Sequence, residues 1–147
     1  MNVEISQEIH KPPVIVFPWI AEPEKANTWQ KNIQSYKIIH KTENFIGTRF
    51  RETIAEAGGS LEMDGSVIDF ENNKKIIFHL ESRIHELNVS YVFEPVERGS
   101  LVKIAAVIKW KFPMNVISLF TATSIKRGIV NQIRSELLEL KRICEED

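Results

Sequence analysis

Two charged residues stand among apolar neighbours, and they are the first candidates for chemistry in this chain. Glu52 lies between Phe50 and Ile54 with the parity of one strand face, and Lys126 lies between Ala122 and Ile129 in a helical stripe. An ionised group held away from water is costly unless it is paired or faces a wet cavity. Lys126 either snorkels to the surface along its aliphatic stem or reaches an interior space. Glu52 either turns outward at an irregularity beside Gly47 or points inward. If both point inward, they pair with each other or hold the polar end of a ligand. Tyr91 either packs with a satisfied tip or offers its hydroxyl as a hydrogen-bond donor and weak acid. His85, with the parity of Leu87 and Val89, is the histidine placed to reach an inner face. Acid–base work by Glu52, Lys126, Tyr91 and His85 is the style of catalysis open to such a set, and the pattern assigns no catalytic residue among them.

Other chemistries lack their residues. There is no G-x-S-x-G, no phosphate-cradling glycine loop and no H-E-x-x-H, and the four histidines have no metal-ligand spacing. Neither a metal nor a cofactor is expected. The single cysteine, Cys144, excludes an internal disulfide and fits a reducing, cytoplasmic setting. A formal charge of −1 without runs of like charge lacks the footprint of a nucleic-acid binder. The most apolar stretch, Val14 to Ala21, is short and contains Pro18, so no membrane span is expected.

These residues must be positioned by elements that alternate at two different periods. With 43% hydrophobic and 27% charged residues over 147 positions, the composition is that of an ordinary globular domain large enough for a real core. One domain, 1–147, is expected. Val3, Ile5 and Ile9 have even spacing and predict an opening strand over Asn2 to His10, ended by Lys11-Pro12-Pro13. Two short helical pieces follow, one from Pro13 to Ala21 and one from Glu22-Pro23 to Trp29. From Ile33 to Phe112 the chain reads as six strands divided by Gly47, Gly58-Gly59, Asn72-Asn73 and Arg98-Gly99. One face gathers Phe50, Glu52 and Ile54; Leu61, Met63, Gly65 and Val67; Ile76, Phe78 and Leu80; Leu87, Val89, Tyr91 and Phe93; and Val102, Ile104, Ala106, Ile108, Trp110 and Phe112. From Asn115 to Asp147 there is no proline and one glycine. At about 100° per residue Leu119, Ala122, Ile125, Ile129, Val130, Ile133, Leu137, Leu140 and Cys144 form one stripe. A long terminal helix with such a stripe must lie on something apolar.

The element order, together with local matches over nearly the whole chain, resembles the START-like or Bet v 1-like (SRPBCC) superfamily, and within it the polyketide cyclase/dehydrase and lipid transport group. The matches are His10 to Phe17 after the first strand, Glu22-Pro23 to Trp29, Ile46-Gly47-Thr48-Arg49-Phe50-Arg51-Glu52, and Tyr91-Val92-Phe93-Glu94-Pro95 followed by Gly99-Ser100-Leu101-Val102. Pro18-Trp19 and Glu22 depart from the usual pattern of the first helical pair. The resemblance implies an α+β helix-grip fold: a curved seven-stranded antiparallel sheet, two short helices after the first strand, and a long C-terminal helix. It also implies a cavity between sheet and helix for a lipid, polyketide-like or aromatic molecule. The inward residues Phe50, Glu52, Ile54, Met63, Phe78, Leu80, Val89, Tyr91, Phe93, Ile108 and Trp110, facing Lys126, Ile129 and Ile133, are then either packed core or pocket lining. The expected partner is a small hydrophobic ligand. The alternatives are a cyclase or dehydratase using the same cavity, and a protein-interaction module using the outer surface.

Overall fold

The even spacing of Val3, Ile5 and Ile9 becomes β1 (Asn2–Ile9), with those three side chains buried. In a computed structural model, which describes residues 1–56 and 58–146, β1 is followed by α1 (Pro13–Val16), α2 (Pro18–Ala21) and α3 (Pro23–Trp29). Then come β2 (Ile33–His40), β3 (Arg49–Glu56), β4 (Gly59–Glu71), β5 (Lys75–Glu81), β6 (His85–Val96), β7 (Gly99–Trp110) and α4 (Met114–Glu146). Asp147, the expected end of the last helix, lies outside the described residues. The first of the two expected short helices is itself split, because Pro18 has no N–H to continue the ladder of α1 and instead opens α2.

The seven strands form one antiparallel sheet in the order β1-β7-β6-β5-β4-β3-β2. Strands β2 to β7 are a meander, and β1 joins it by pairing with β7. The first two strands therefore lie at opposite edges. The chain between them has to cross one face of the sheet, and α1 to α3 are that crossing. Register shifts between β4 and β5 at Val67/Asp69, and two more between β2 and β3, are bulges of the kind that bend a sheet.

The inward parity holds along β4 and β7: Leu61, Met63, Gly65 and Val67, and then Val102, Ile104, Ala106 and Ile108, are all buried. It stops at Trp110. Phe112, expected to continue the face, falls after the strand and is exposed. The core sits toward β1 and β7, where Ile9, Val102, Leu137, Leu140 and Cys144 are almost fully buried together with Val16, Phe17 and Trp29 from the crossing helices. Polar ties lock this end: the Trp29 Nε1–H donates to the Trp19 carbonyl at 2.7 Å, and the Ser100 hydroxyl to the Lys11 carbonyl at 2.6 Å.

Helix α4 has 33 residues and is about 50 Å long. Its stripe is covered only in part. Leu137, Leu140 and Cys144 are buried and Ile125, Ile129, Val130 and Ile133 half-buried, while Leu119 and Ala122 on the same stripe are exposed. In the N-terminal turns Ser118 is buried and Met114 half-buried, so that one side of the helix is covered there and the side of Leu119 is not.

Across β2, β3, β5 and β6 runs a row of rings. Tyr36 stacks on Phe50 at 5.4 Å, Phe50 meets Phe78 edge-on at 5.8 Å, and Phe78 meets Tyr91 edge-on at 6.0 Å. Phe50 and Phe78 belong to strands separated by β4, and they touch because Gly65, paired with both Phe50 and Leu80, has no side chain between them. A Cβ at Gly65 would overlap the Phe50 ring and crowd Leu80. Gly65→Ala is accordingly expected to destabilise the protein by about 1–3 kcal/mol through overpacking, read as a lower urea midpoint with unchanged slope. An unaltered midpoint would remove Gly65 from this role.

Candidate functional site

The row of rings forms the floor of a cleft. Its lining comes from β3 (Phe50, Glu52), β5 (Phe78, Leu80), β6 (Val89, Tyr91) and β2 (Ile33, Tyr36), with α2 and α3 above (Ile20, Ala21, Pro23, Ala26, Asn27) and Gln30 after them. The cleft encloses about 90 Å³ and is partly open to solvent. The crossing helices roof it because the chain must travel from one edge of the sheet to the other.

Glu52 stands on β3 opposite Tyr36 on one side and Met63 on the other. No hydrogen bond from the described residues reaches its carboxyl, and burial pushes that group up to about 7. The two tyrosines respond to the same surroundings. Burial holds the Tyr36 hydroxyl above its ordinary range, and the charge of Glu52 adds to the effect. Tyr91 is raised by burial first, then by Glu136, then by Glu52. One carboxyl and two phenols thus converge on an apolar floor, with no cation among the described lining residues to ease their ionisation.

Glu136, on α4, is a further buried carboxylate. Its Oε2 accepts the Lys31 backbone N–H at 3.0 Å, and the Lys31 ammonium donates to the Ser135 hydroxyl at 2.9 Å. Burial raises its pKa, while the bonds from Lys31 and Gln132 pull it partly back. These contacts fasten α4 to the turn between α3 and β2, beside the cleft.

Of the residues singled out by sequence, Phe50, Glu52, Phe78, Leu80, Val89 and Tyr91 come together in the lining. Met63, Phe93 and Ile108 are buried side chains outside it, and Ile54, Trp110, Ile129 and Ile133 are half-buried, also outside it. Lys126 requires correction. It is exposed and forms no ion pair among the described residues, although Ile125 and Ile129 on either side of it are half-buried. No described residue of α4 lines the cleft, so its roof is α2 and α3 where the C-terminal helix was expected. His85 is engaged elsewhere: its Nδ1 is 2.7 Å from the Ser82 hydroxyl and its ring lies 5.2 Å from that of Trp110. The Trp110 indole N–H is buried without a hydrogen-bond partner among the described residues. No group of three His, Cys, Asp or Glu side chains among the described residues could hold a metal ion.

Sequence reasoning missed Tyr36, Glu136 and the helical roof. Glu136 was within reach of periodicity, since it follows Ile129 by seven residues and Ile133 by three. Tyr36 had a weaker signal, because β2 is an edge strand with little alternation.

No family model and no curated protein matches the sequence. Solved structures do. A protein from Thermus thermophilus aligns with a TM-score of 0.81 at 15% identity, over 99% of this chain and 98% of that one. An uncharacterized protein from Rhizobium leguminosarum aligns at 0.76 and 16% identity, over 100% and 95%. The Bet v 1 allergen Ara h 8.0201 aligns at 0.75 and 13% identity, over 100% and 99%. The chain has the Bet v 1-like helix-grip fold. At these identities the likeness speaks for the architecture and leaves the contents of the helix-grip cleft to its own residues.

The raised Glu52 carboxyl makes stability depend on pH with a definite sign. Between an unfolded value of about 4.5 and a folded value of about 7 the native protein holds the extra proton, so stability falls as pH rises through that window. Glu52→Gln removes the titration. Relative to wild type it is expected to gain stability on going from pH 4.5 to pH 8 by up to about 3 kcal/mol, measured by urea unfolding at each pH. A constant difference across the range would show that Glu52 is ionised and solvated in the fold.

Proposed function

We propose that the cleft binds a small hydrophobic or amphipathic molecule, its apolar part on Phe50, Phe78, Leu80 and Val89 and its polar end toward Glu52, Tyr36 and Tyr91. The observation that carries this reading is the cleft itself: an aromatic floor, an opening to solvent, and a carboxyl to which no described residue hydrogen-bonds. A carboxyl half-shielded from water and without a hydrogen bond from the described residues gains from a ligand hydroxyl or amine that bonds to it. The family resemblance, which implies a cavity for apolar molecules, points the same way.

The enclosed 90 Å³ has room for several water molecules and is smaller than the roughly 150 Å³ apolar cavity that admits a benzene ring. A larger ligand would keep its remainder in the mouth or displace α3, whose helical span is only seven residues. A catalytic use of the same cleft is favoured by one specific feature, that burial pushes the Glu52 carboxyl up to about 7, where a carboxyl serves as either acid or base. On that reading the substrate is a polyketide-like molecule undergoing cyclisation or dehydration, and Glu52→Gln abolishes turnover while leaving affinity within a few-fold.

Binding is tested with the neutral fluorophore 1-aminoanthracene. A saturable rise in emission is expected with wild type, and Ala26→Trp, which places an indole at the mouth, should weaken it about ten-fold or more. Thermal unfolding of the variant serves as the control for folding. Absence of saturable binding, or equal affinity in the folded variant, would overturn the assignment of this cleft.

A further inference from the structure

The N-terminal turns of α4 carry apolar side chains that none of the described residues covers. Phe112, just before the helix, and Leu119 and Phe120 within it are 79%, 78% and 84% exposed. Val116 and Ile117 are exposed beside them. Leu119 belongs to the stripe that meets the core further along, but at this turn the covered side of the helix is that of Ser118, and Leu119 is left exposed.

The same stretch carries charge of one sign. Between Glu97 and Glu136 the sequence has no acidic residue. On the helix Lys126, Arg127 and Arg134 are exposed, and none of them forms an ion pair among the described residues. At 100° per residue, Arg127 and Arg134 follow Phe120 at seven-residue intervals and so lie on nearly one line along α4. Arg127 is about 10 Å along the axis from Phe120. Exposed apolar side chains are thus followed along the helix by cations.

We propose that this end of α4 docks on an anionic lipid surface, with Leu119 and Phe120 entering the boundary of the acyl chains and Lys126 and Arg127 meeting lipid phosphates. Interfacial helices lie along the membrane plane and bury their apolar side chains about 5–10 Å into that boundary, with basic residues meeting the headgroups. Charge selects this occupant over a second copy of the chain. A two-fold contact through this patch would set two acid-free basic segments against each other, whereas anionic headgroups supply the opposite charge. No helix is long and apolar enough to cross a membrane, so the contact is at the surface. It does not depend on what the cleft holds.

Sedimentation with vesicles of equal parts phosphatidylglycerol and phosphatidylcholine, compared with phosphatidylcholine alone, reads the proposal. Partitioning onto the mixed vesicles should be about ten-fold or more stronger and should fall as salt is raised. The double variant Leu119→Ser/Phe120→Ser should lose it by a similar factor, with circular dichroism and 1-aminoanthracene titration unchanged from wild type. Lys126→Glu/Arg127→Glu should lose it as well. No binding to mixed vesicles, equal binding to both vesicle types, or retention by the serine variant would overturn the proposal. So would self-association in the ultracentrifuge that the serine variant abolishes and the mixed vesicles do not compete with, since the occupant would then be a second copy.

Discussion

The pairing of β1 with β7 is the constraint on which the rest of the structure depends. Once the first strand joins the last, the second strand is left at the far edge of the sheet, and the 23 residues between Ile9 and Ile33 have to cross one face. Three short helices make that crossing, and they do so over β2 to β6. What roofs the cleft is therefore settled by the connectivity. The C-terminal helix is left with the β1 and β7 side, where its last turns complete the core.

This division of labour explains why one helix has two characters. A long amphipathic stripe predicts an apolar surface beneath it, but it says nothing about where that surface ends. From Ile125 onward the stripe meets sheet and crossing helices, and burial rises to completion at Leu140 and Cys144. Before Ile125 Ser118 is still buried, but Leu119 and Ala122 are left exposed. The same residue type, leucine, is fully buried at 140 and mostly exposed at 119 with no change in the local pattern.

The cleft rests on two neighbouring features of opposite kind. Gly65 withholds a side chain so that rings from non-adjacent strands can meet over β4, making the floor continuous. Glu52 places a carboxyl beside that floor without a cation among the described lining residues. The two are linked through Tyr36, which stacks on Phe50 and is the cross-strand neighbour of Glu52. Burial then raises the acid and both phenols together, because each group loses water to the same apolar walls and none gains a positive partner. Glu136 belongs to the same polar set but is spent on holding α4 to the Lys31 turn.

Strand parity was legible from the sequence because it is local. Successive Cβ atoms point to opposite faces, so the inward places of Phe50, Glu52, Met63, Leu80, Val102 and Ile108 followed from counting. The terminal helix and the seven-stranded, helix-grip order followed from period, punctuation and motif. Helical phase alone was misleading at Lys126, which is exposed between the half-buried Ile125 and Ile129. Tyr36 escaped notice because an edge strand has little alternation to read. The sequence by itself determined which residues share a face. Only the tertiary structure decided how far the cover over that face extends, since this depends on where β1 docks and on the distance between elements far apart in the chain.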